Sequence, residues 1–379
     1  MDVGQVREKR LRSTEMLEET AELGAEKSGL YTCKAAGYNK NNGKTNGNFF
    51  RTKGAREMKE LFSLPWHTPT VEEYPDLREA CRTVGCDGVE LVWGGEENPP
   101  EVPGELTLGY HLTFWPDWLD FWNNDRAALE RKFGAQQVWE EFYGGSDGRE
   151  TLLAGYRADL KRALAKEPEY LVFHVSDVSL EEGYTYRWEH TDEQIIDAAG
   201  EVLTELLRDG DLPCPVFVEN QWWAGFTFTD PVKTERLLSA IPTEKKGILL
   251  DIGHMMNACT DIETQAQGAE FVLECYRRHG ELGRYVKAFH LHQSISGAYV
   301  KANTGFLPKD WEEQGDYVAR FMASYGHILQ IDRHQPWTDP AVRDLLETIA
   351  PEYVTHELSA ANRAAREAAI LTQRAAMGQ

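Results

Sequence analysis

Five residues of this chain, Glu219, Asp251, His254, His290 and Glu357, stand at or just past the ends of short apolar runs. A carboxylate among apolar residues is costly unless it is paired or bound to a metal. Several converging carboxylates also repel one another, and a divalent cation removes that repulsion. A mixed set of imidazole and carboxylate ligands suits Zn, Mn or Fe better than Ca. Four more residues extend the pattern: His111 after Gly109 and Tyr110, His174 after Val172 and Phe173, and the Asp332-Arg333-His334 run.

Taken singly, each residue has an ordinary explanation. A lone histidine at a strand end is usually a hydrogen-bonded rim residue. A lone aspartate there is usually the N-cap of the next helix, a role open to both Asp177 and Asp251. Glu357 could pair with Arg363. The combination is harder to explain away, because the set falls at successive strand ends. Alternation along a strand sorts the remaining histidines. His292 shares a face with His290 at a different height, as ligand, outer donor or substrate contact. His356, next to Glu357, points away from the interior.

The elements that must position these groups follow a rhythm. Runs suited to strands cover 61–65, 88–93, 108–114, 170–176, 215–219, 247–251, 286–290 and 353–357. Amphipathic stretches suited to helices lie at 73–84, 127–142, 192–208, 261–279 and 340–349, with a C-terminal helix at 360–376. Eight strands with helical connections match an α/β fold of the (β/α)8 TIM-barrel type, whose active sites form where the strand C-terminal ends meet. A doubly wound open sheet would show a Gly-rich phosphate turn after an early strand, and Gly94-Gly95 is not one. The first 60 residues differ. A charged, helix-prone stretch at 6–26 precedes an Asn- and Gly-rich run at 37–48, which reads as a flexible N-terminal extension. The division is therefore an extension at 1–60 and a barrel at 61–379.

The 379 residues are 41% hydrophobic and 27% charged, with a formal net charge of −22. That excess of acid argues against a polyanionic partner such as nucleic acid and is neutral toward small substrates. No run approaches the roughly 18 apolar residues of a membrane span. The N-terminus has no apolar stretch of the secretory type. Six cysteines without a paired pattern fit a reducing cytoplasm.

The motifs Val218-Glu219-Asn220, Leu250-Asp251-Ile252-Gly253-His254, Phe289-His290-Leu291-His292 and Thr355-His356-Glu357 resemble those of the xylose-isomerase-like barrel superfamily, over roughly residues 61–358. The ketose epimerases of that group imply Glu219, Asp251, His290 and Glu357 as ligands of one Mn or similar ion. Glu219 and Glu357 would be the acid/base pair, and His254 a catalytic contact to substrate. The endonuclease IV branch, with three zinc ions, implies all nine residues: His111, His174, Glu219, Asp251, His254, His290, Asp332, His334 and Glu357. Two departures from that branch are the bulky Trp222-Trp223 after Gln221 and a longer gap between His290 and Asp332. Multinuclear iron oxidases are similar in ligand pattern. The resemblance also allows a homodimer.

These implications set out the alternatives. The favoured reading is a divalent-metal sugar or sugar-phosphate isomerase/epimerase that stabilises an enediolate, with one carboxylate removing a proton and the other returning it. Its carbohydrate-like substrate would be held by His292, Trp115, Trp222 and Trp337, with at most one of the adjacent Trp222 and Trp223 facing the pocket. The rival is a multinuclear zinc phosphodiesterase, which uses His111, His174, Asp332 and His334 more fully. An iron oxidase is a third reading, and a decayed site on a binding module a fourth. One to three ions of Mn, Zn, Mg or Fe are expected.

Overall fold

Eight short runs rich in β-branched, aromatic and leucine residues form parallel strands. They are β1 Lys59–Trp66, β2 Gly88–Trp93, β3 Thr107–His111, β4 Tyr170–His174, β5 Val216–Glu219, β6 Lys246–Asp251, β7 Val286–Leu291 and β8 Tyr353–His356. The computed structural model describes residues 58–379, and in it the strands close in chain order, β8 pairing with β1. This is the expected (β/α)8 barrel. β1 starts slightly earlier than its hydrophobic pattern indicates. The assigned N-terminal extension lies, up to residue 57, outside the described residues. Among the described residues no helix is long and apolar enough to cross a membrane.

The helical layer departs from expectation. The stretch at 127–142 is two helices, Arg126–Phe133 and Gln136–Tyr143, because Gly134 takes a positive φ of 84° that ends the first. Among the helices outside the predicted stretches, the three longest are Gly148–Leu164, Pro231–Ala240 and Tyr317–Ile331. The β2–β3 connection holds only a short 3-10 turn, Gly104–Leu106. The C-terminal helix Arg363–Met377 closes the ring at its seam. Its Arg374 guanidinium donates to Glu60 of β1 at 2.8 Å and to the Gly85 carbonyl beyond the helix Leu77–Val84.

Alternation decides what each strand sends inward. Leu61, Tyr170, Val172, Phe217, Leu249, Ala288 and Tyr353 form an inner cluster, separate from the larger core between strands and helices. Two residues further along their strands come His174, Glu219, Asp251, His290 and Thr355. The barrel thus sends apolar side chains inward low down and ligand-type side chains inward at the mouth. Register brings neighbours level: His174 pairs with Glu219 across β4 and β5, and Asp251 pairs with His290 across β6 and β7.

One glycine makes this interior possible. A Cβ on Gly109 would lie 2.6 Å from the Tyr170 ring and hydroxyl and 2.9 Å from Cγ of Glu90. Its absence lets Tyr170 reach across the barrel and donate to Glu90 at 2.6 Å. Gly109→Ala should therefore destabilise the fold by about 1–3 kcal/mol, the usual cost of overpacking a core. Urea unfolding measures this; a variant as stable as the parent would show that the Tyr170 ring can move aside.

Candidate metal centre

All nine predicted ligands converge at the C-terminal mouth of the barrel. With His292, their donor atoms fall into overlapping groups, the atoms of each lying within 4.8 Å of one another: His111, His174 and Glu219; Glu219, Asp251 and His290; Asp251, His292 and Glu357; and His254, His292, Asp332 and His334. Strand ends supply most of them. His254 comes from the helix Ile252–Asn257, which Asp251 caps by accepting from the His254 amide at 2.7 Å. Asp251 is thus both the helix cap and a member of the cluster, its other oxygen lying 3.0 Å from Nε2 of His292. Asp332 ends the helix Tyr317–Ile331. His334 follows with a positive φ of 46°, a strained conformation for a non-glycine residue.

The hydrogen bonds fix which imidazole nitrogens face inward. A backbone carbonyl or carboxylate can only accept, so the ring nitrogen beside it carries the proton. His111 donates from Nδ1 to the Leu112 carbonyl at 2.9 Å, and His254 from Nδ1 to the Asn220 carbonyl at 2.9 Å. His290 donates from Nε2 to Glu90 at 2.7 Å, and His334 from Nδ1 to the Glu357 carbonyl at 3.1 Å. Each ring's second nitrogen then faces a carboxylate oxygen: His111 to Glu219 at 3.1 Å, His254 to Asp332 at 3.3 Å, His290 to Glu357 at 3.0 Å, and His334 to Asp332 at 2.6 Å. In a neutral ring that nitrogen presents a lone pair to an anion, which requires a proton or a cation between them. Metal-ligating histidines commonly show this pattern, with the outer N–H held and the inner lone pair presented. The donor set fits divalent first-row cations.

Charge follows the same geometry. Burial lowers the pKa of His254 and His290, yet the surrounding carboxylates hold both well above the ordinary histidine value. Burial also works against His334, and Asp332 outweighs it, raising that ring to about 10. Burial raises Glu219, Asp332 and Glu357, but adjacent imidazoles overcome it. Glu219 and Asp332 lie well below the usual carboxylate range, and Glu357 falls to about 2. His174 is the exception, since burial outweighs Glu219 and lowers its pKa.

Some expected substrate contacts lie elsewhere. Trp337 is fully buried behind the site, where its indole donates to the His292 carbonyl at 2.9 Å. Trp115 packs on Phe142 and Tyr143 within the long β3–β4 excursion. Neither lines the cavity at the mouth. His292 does not line it either; it stacks on His334 at 4.1 Å, inside the cluster. Trp222 lines it as expected, and so does Trp223, the two rings lying 4.2 Å apart, so both adjacent tryptophans face the pocket rather than one. Asp177 belongs to the scaffold. It accepts from the Trp118 and Leu119 amides at 2.8 and 2.9 Å and so anchors the β3–β4 excursion. His356 points to the helical layer, as alternation requires, and accepts from Gln373 at 2.8 Å.

Glu90 is a site residue that the strand-end pattern misses. It sits inside the barrel, accepting from His290 at 2.7 Å, Tyr170 at 2.6 Å and Thr355 at 3.2 Å. Its signal in the sequence is an acid in the middle of an apolar strand, Gly88-Val89-Glu90-Leu91-Val92. The cavity above the cluster has a volume of about 500 Å³. Beyond the ligands its walls include Phe114, Trp222, Trp223, Phe321 and Ile328, and among the described residues no lysine or arginine lines it.

No protein-family model matches the chain, and no curated protein matches it. Solved structures similar to it include a D-tagatose 3-epimerase-like protein, 16% identical, covering 85% of this chain and 98% of that one with a TM-score of 0.45. Endonuclease IV from Thermus thermophilus is 14% identical, covering 84% and 99% with a TM-score of 0.44. A xylose isomerase-like TIM barrel protein from Mycobacterium smegmatis, in complex with magnesium, is 12% identical, covering 84% and 98% with a TM-score of 0.44. At these identities the likeness concerns the barrel alone. What the site can do has to come from its side chains.

Two outcomes follow. Glu90→Gln keeps the shape of the barrel interior but loosens the hold on His290, and should weaken divalent-metal affinity about 10- to 100-fold. Competition with a chromophoric chelator measures this, and unchanged affinity would remove Glu90 from the site. The second outcome concerns pH. Because its folded pKa is above the unfolded value of about 6.5, His334 stabilises the metal-free chain fully below about pH 6.5. That contribution is lost as pH rises through about 10. Metal uptake at neutral pH must displace such protons, so affinity should rise about tenfold per pH unit for each proton released. Calorimetry in two buffers of different ionisation enthalpy counts the protons; uptake without proton release would contradict the reading.

Proposed function

We propose that the chain is a multinuclear metal-dependent hydrolase of small phosphoesters. The position of Glu219 carries this reading. One of its oxygens lies 2.7 Å from Nε2 of His174 and 3.1 Å from Nε2 of His111. The other lies 3.3 Å from Nδ1 of His254 and 3.4 Å from Nδ1 of His290. A carboxylate enclosed by four imidazoles, its side chain only 1% exposed, is suited to bridging adjacent cation sites. It is poorly placed to take a proton from a substrate carbon.

That geometry bears on the isomerase reading, which needs two carboxylates at the substrate. Glu219, Asp332 and Glu357 all line the cavity, and Glu357 is the most exposed of them. Its side chain is 21% exposed, against 1% for Glu219 and 10% for Asp332, with Oε2 lying 3.0 Å from Nδ1 of His290. A single proton-accepting carboxylate suffices for hydrolysis. Of the four overlapping groups, His111, His174 and Glu219 share Glu219 with Glu219, Asp251 and His290, while Asp251, His292 and Glu357 share His292 with His254, His292, Asp332 and His334. Divalent cations bound there would neutralise charge on a phosphoryl group and make water a competent nucleophile at neutral pH. The Glu357 carboxylate, the most exposed of the four acids, would take a proton from water entering the cavity. As the water oxygen bonds to phosphorus, the bond from phosphorus to the leaving oxygen breaks, and that oxygen takes up the proton held by Glu357 or one from solvent, Glu357 then being returned to its ionised form. The Gln221 amide lies 3.2 Å from Nδ1 of His254 and lines the cavity, where it can orient a substrate oxygen. Phe114, Trp222 and Trp223 exclude bulk water and offer flat apolar faces to the substrate body.

The cavity of about 500 Å³ and the net charge of −22 support a small molecule over a polynucleotide. The zinc- or manganese-loaded protein should hydrolyse bis(p-nitrophenyl) phosphate or a p-nitrophenyl monoester. Glu357→Gln should lower kcat by about 100-fold or more, in line with the loss of a general base. Ketose epimerisation without phosphoester turnover would restore the isomerase reading. Oxygen consumption by the iron form alone would establish the oxidase.

A further inference from the structure

Two features of the sequence have no part in the metal cluster: the bulky Trp222-Trp223 and the long stretch between His290 and Asp332. In the fold they meet. The stretch holds the helix Tyr317–Ile331, and Phe321 and Ile328 of that helix line the cavity together with both tryptophans. Phe114, from the long β3–β4 connection, lines it too. Trp222, Trp223 and Val178 belong to a small apolar cluster separate from the barrel core, and Phe114 and Ile328 pack against it. The same cavity is lined by His174, Glu219, His254, Asp332, His334 and Glu357. One space is thus bordered both by the metal cluster and by a largely apolar wall.

Several polar groups on the wall are already engaged by the protein. Asp117 is held by Lys132 at 2.8 Å. Ser179 accepts from the Glu182 amide at 3.3 Å. His327 is bonded to the Tyr299 hydroxyl at 2.9 Å and to the Gly183 backbone. Among the described residues no lysine or arginine lines the cavity. A sugar or nucleotide body would bring hydroxyls, or a second charge, to a wall that offers them few free partners, and this costs binding. A hydrocarbon body would release water from the same wall, and this favours binding. The volume of about 500 Å³ is ordinary for a site that takes a small organic molecule. We propose that the substrate is a phosphoester of an apolar alcohol. Its hydrocarbon group occupies the wall region and carries no second charge, while its phosphoryl group meets the metal cluster. This inference rests on the phosphoester reading for the reacting end only.

Non-hydrolysable probes separate the body of the substrate from the reaction. The zinc-loaded protein is titrated calorimetrically with methyl-, butyl-, hexyl- and octylphosphonate, and with the phosphonate isostere of a hexose 6-phosphate. The same alkyl series is run as hydroxamates, which chelate divalent cations whatever the reaction. Affinity should rise about threefold per added methylene from butyl to octyl in both series, in line with burial of hydrocarbon. The hexose probe should bind no more tightly than methylphosphonate. Phe321→Ser and Ile328→Asn should each cut the octyl-to-methyl affinity ratio about tenfold, with methylphosphonate affinity unchanged and metal content per chain as the check on folding. Affinity that does not rise with chain length in either series would overturn the proposal. So would a hexose probe that outbinds the octyl one, no binding of either series, or a ratio kept in both variants. A chain-length gain with hydroxamates alone, in a protein that hydrolyses no phosphoester, would instead overturn the assigned reaction and leave the apolar body in place.

Discussion

Four carboxylates, Glu219, Asp251, Asp332 and Glu357, are brought together at one mouth of the barrel, and the rest of the structure is arranged to bear that charge. Oxygens of Glu219 and Asp251 fall within 4.8 Å of each other. At that spacing two full charges repel by ~3 kcal/mol even at an effective dielectric constant of about 20. Imidazoles interleave with the acids so that each of the four carboxylates meets at least one ring nitrogen. Without metal the rings hold protons, as the raised pKa values of His254, His290 and His334 require. A cation bound there would take the positions that these protons occupy.

A ring of supporting bonds keeps the acids from moving apart. Glu90 holds His290 from inside the barrel and is itself held by Tyr170 and Thr355. Asn220 ties the ends of β5 and β6 together, donating to the Asp251 carbonyl at 3.1 Å and accepting from the Asp251 amide at 2.8 Å. Asn257 donates to Asp332 at 3.2 Å. From behind, Gln373 of the C-terminal helix donates to the Leu291 carbonyl at 2.7 Å and accepts from the Trp337 amide at 2.9 Å. Trp337 in turn holds the His292 carbonyl. Such outer partners set the orientation and basicity of the inner groups.

The barrel and the convergence of the nine residues were legible in the sequence because a strand alternates with a period of two. An apolar inward residue such as Phe217, Leu249 or Ala288 marks the column whose next inward member is Glu219, Asp251 or His290. Asp332 and His334 lie outside any strand and are marked only by their spacing and their resemblance to a known pattern. The cavity walls were not legible. Trp115 and Trp337 look like substrate platforms in sequence, but packing on Phe142 and Tyr143 in one case, and a hydrogen bond to the His292 carbonyl in the other, turns them into the protein. The helix Tyr317–Ile331 has amphipathic spacing, yet its inward face points at a cavity instead of the core, so no pattern of burial marks it. Glu90 interrupts an apolar strand below the mouth, where a strand-end pattern gives no reason to look for a ligand's support.

The central claim is that Glu219 joins adjacent cation sites, and anomalous diffraction from crystals grown with zinc or manganese tests it most directly. More than one anomalous peak per chain, with the two Glu219 oxygens contacting different peaks, is the predicted result. A single peak held by Glu219, Asp251, His290 and Glu357, with His111, His174 and His334 left without metal, would contradict it.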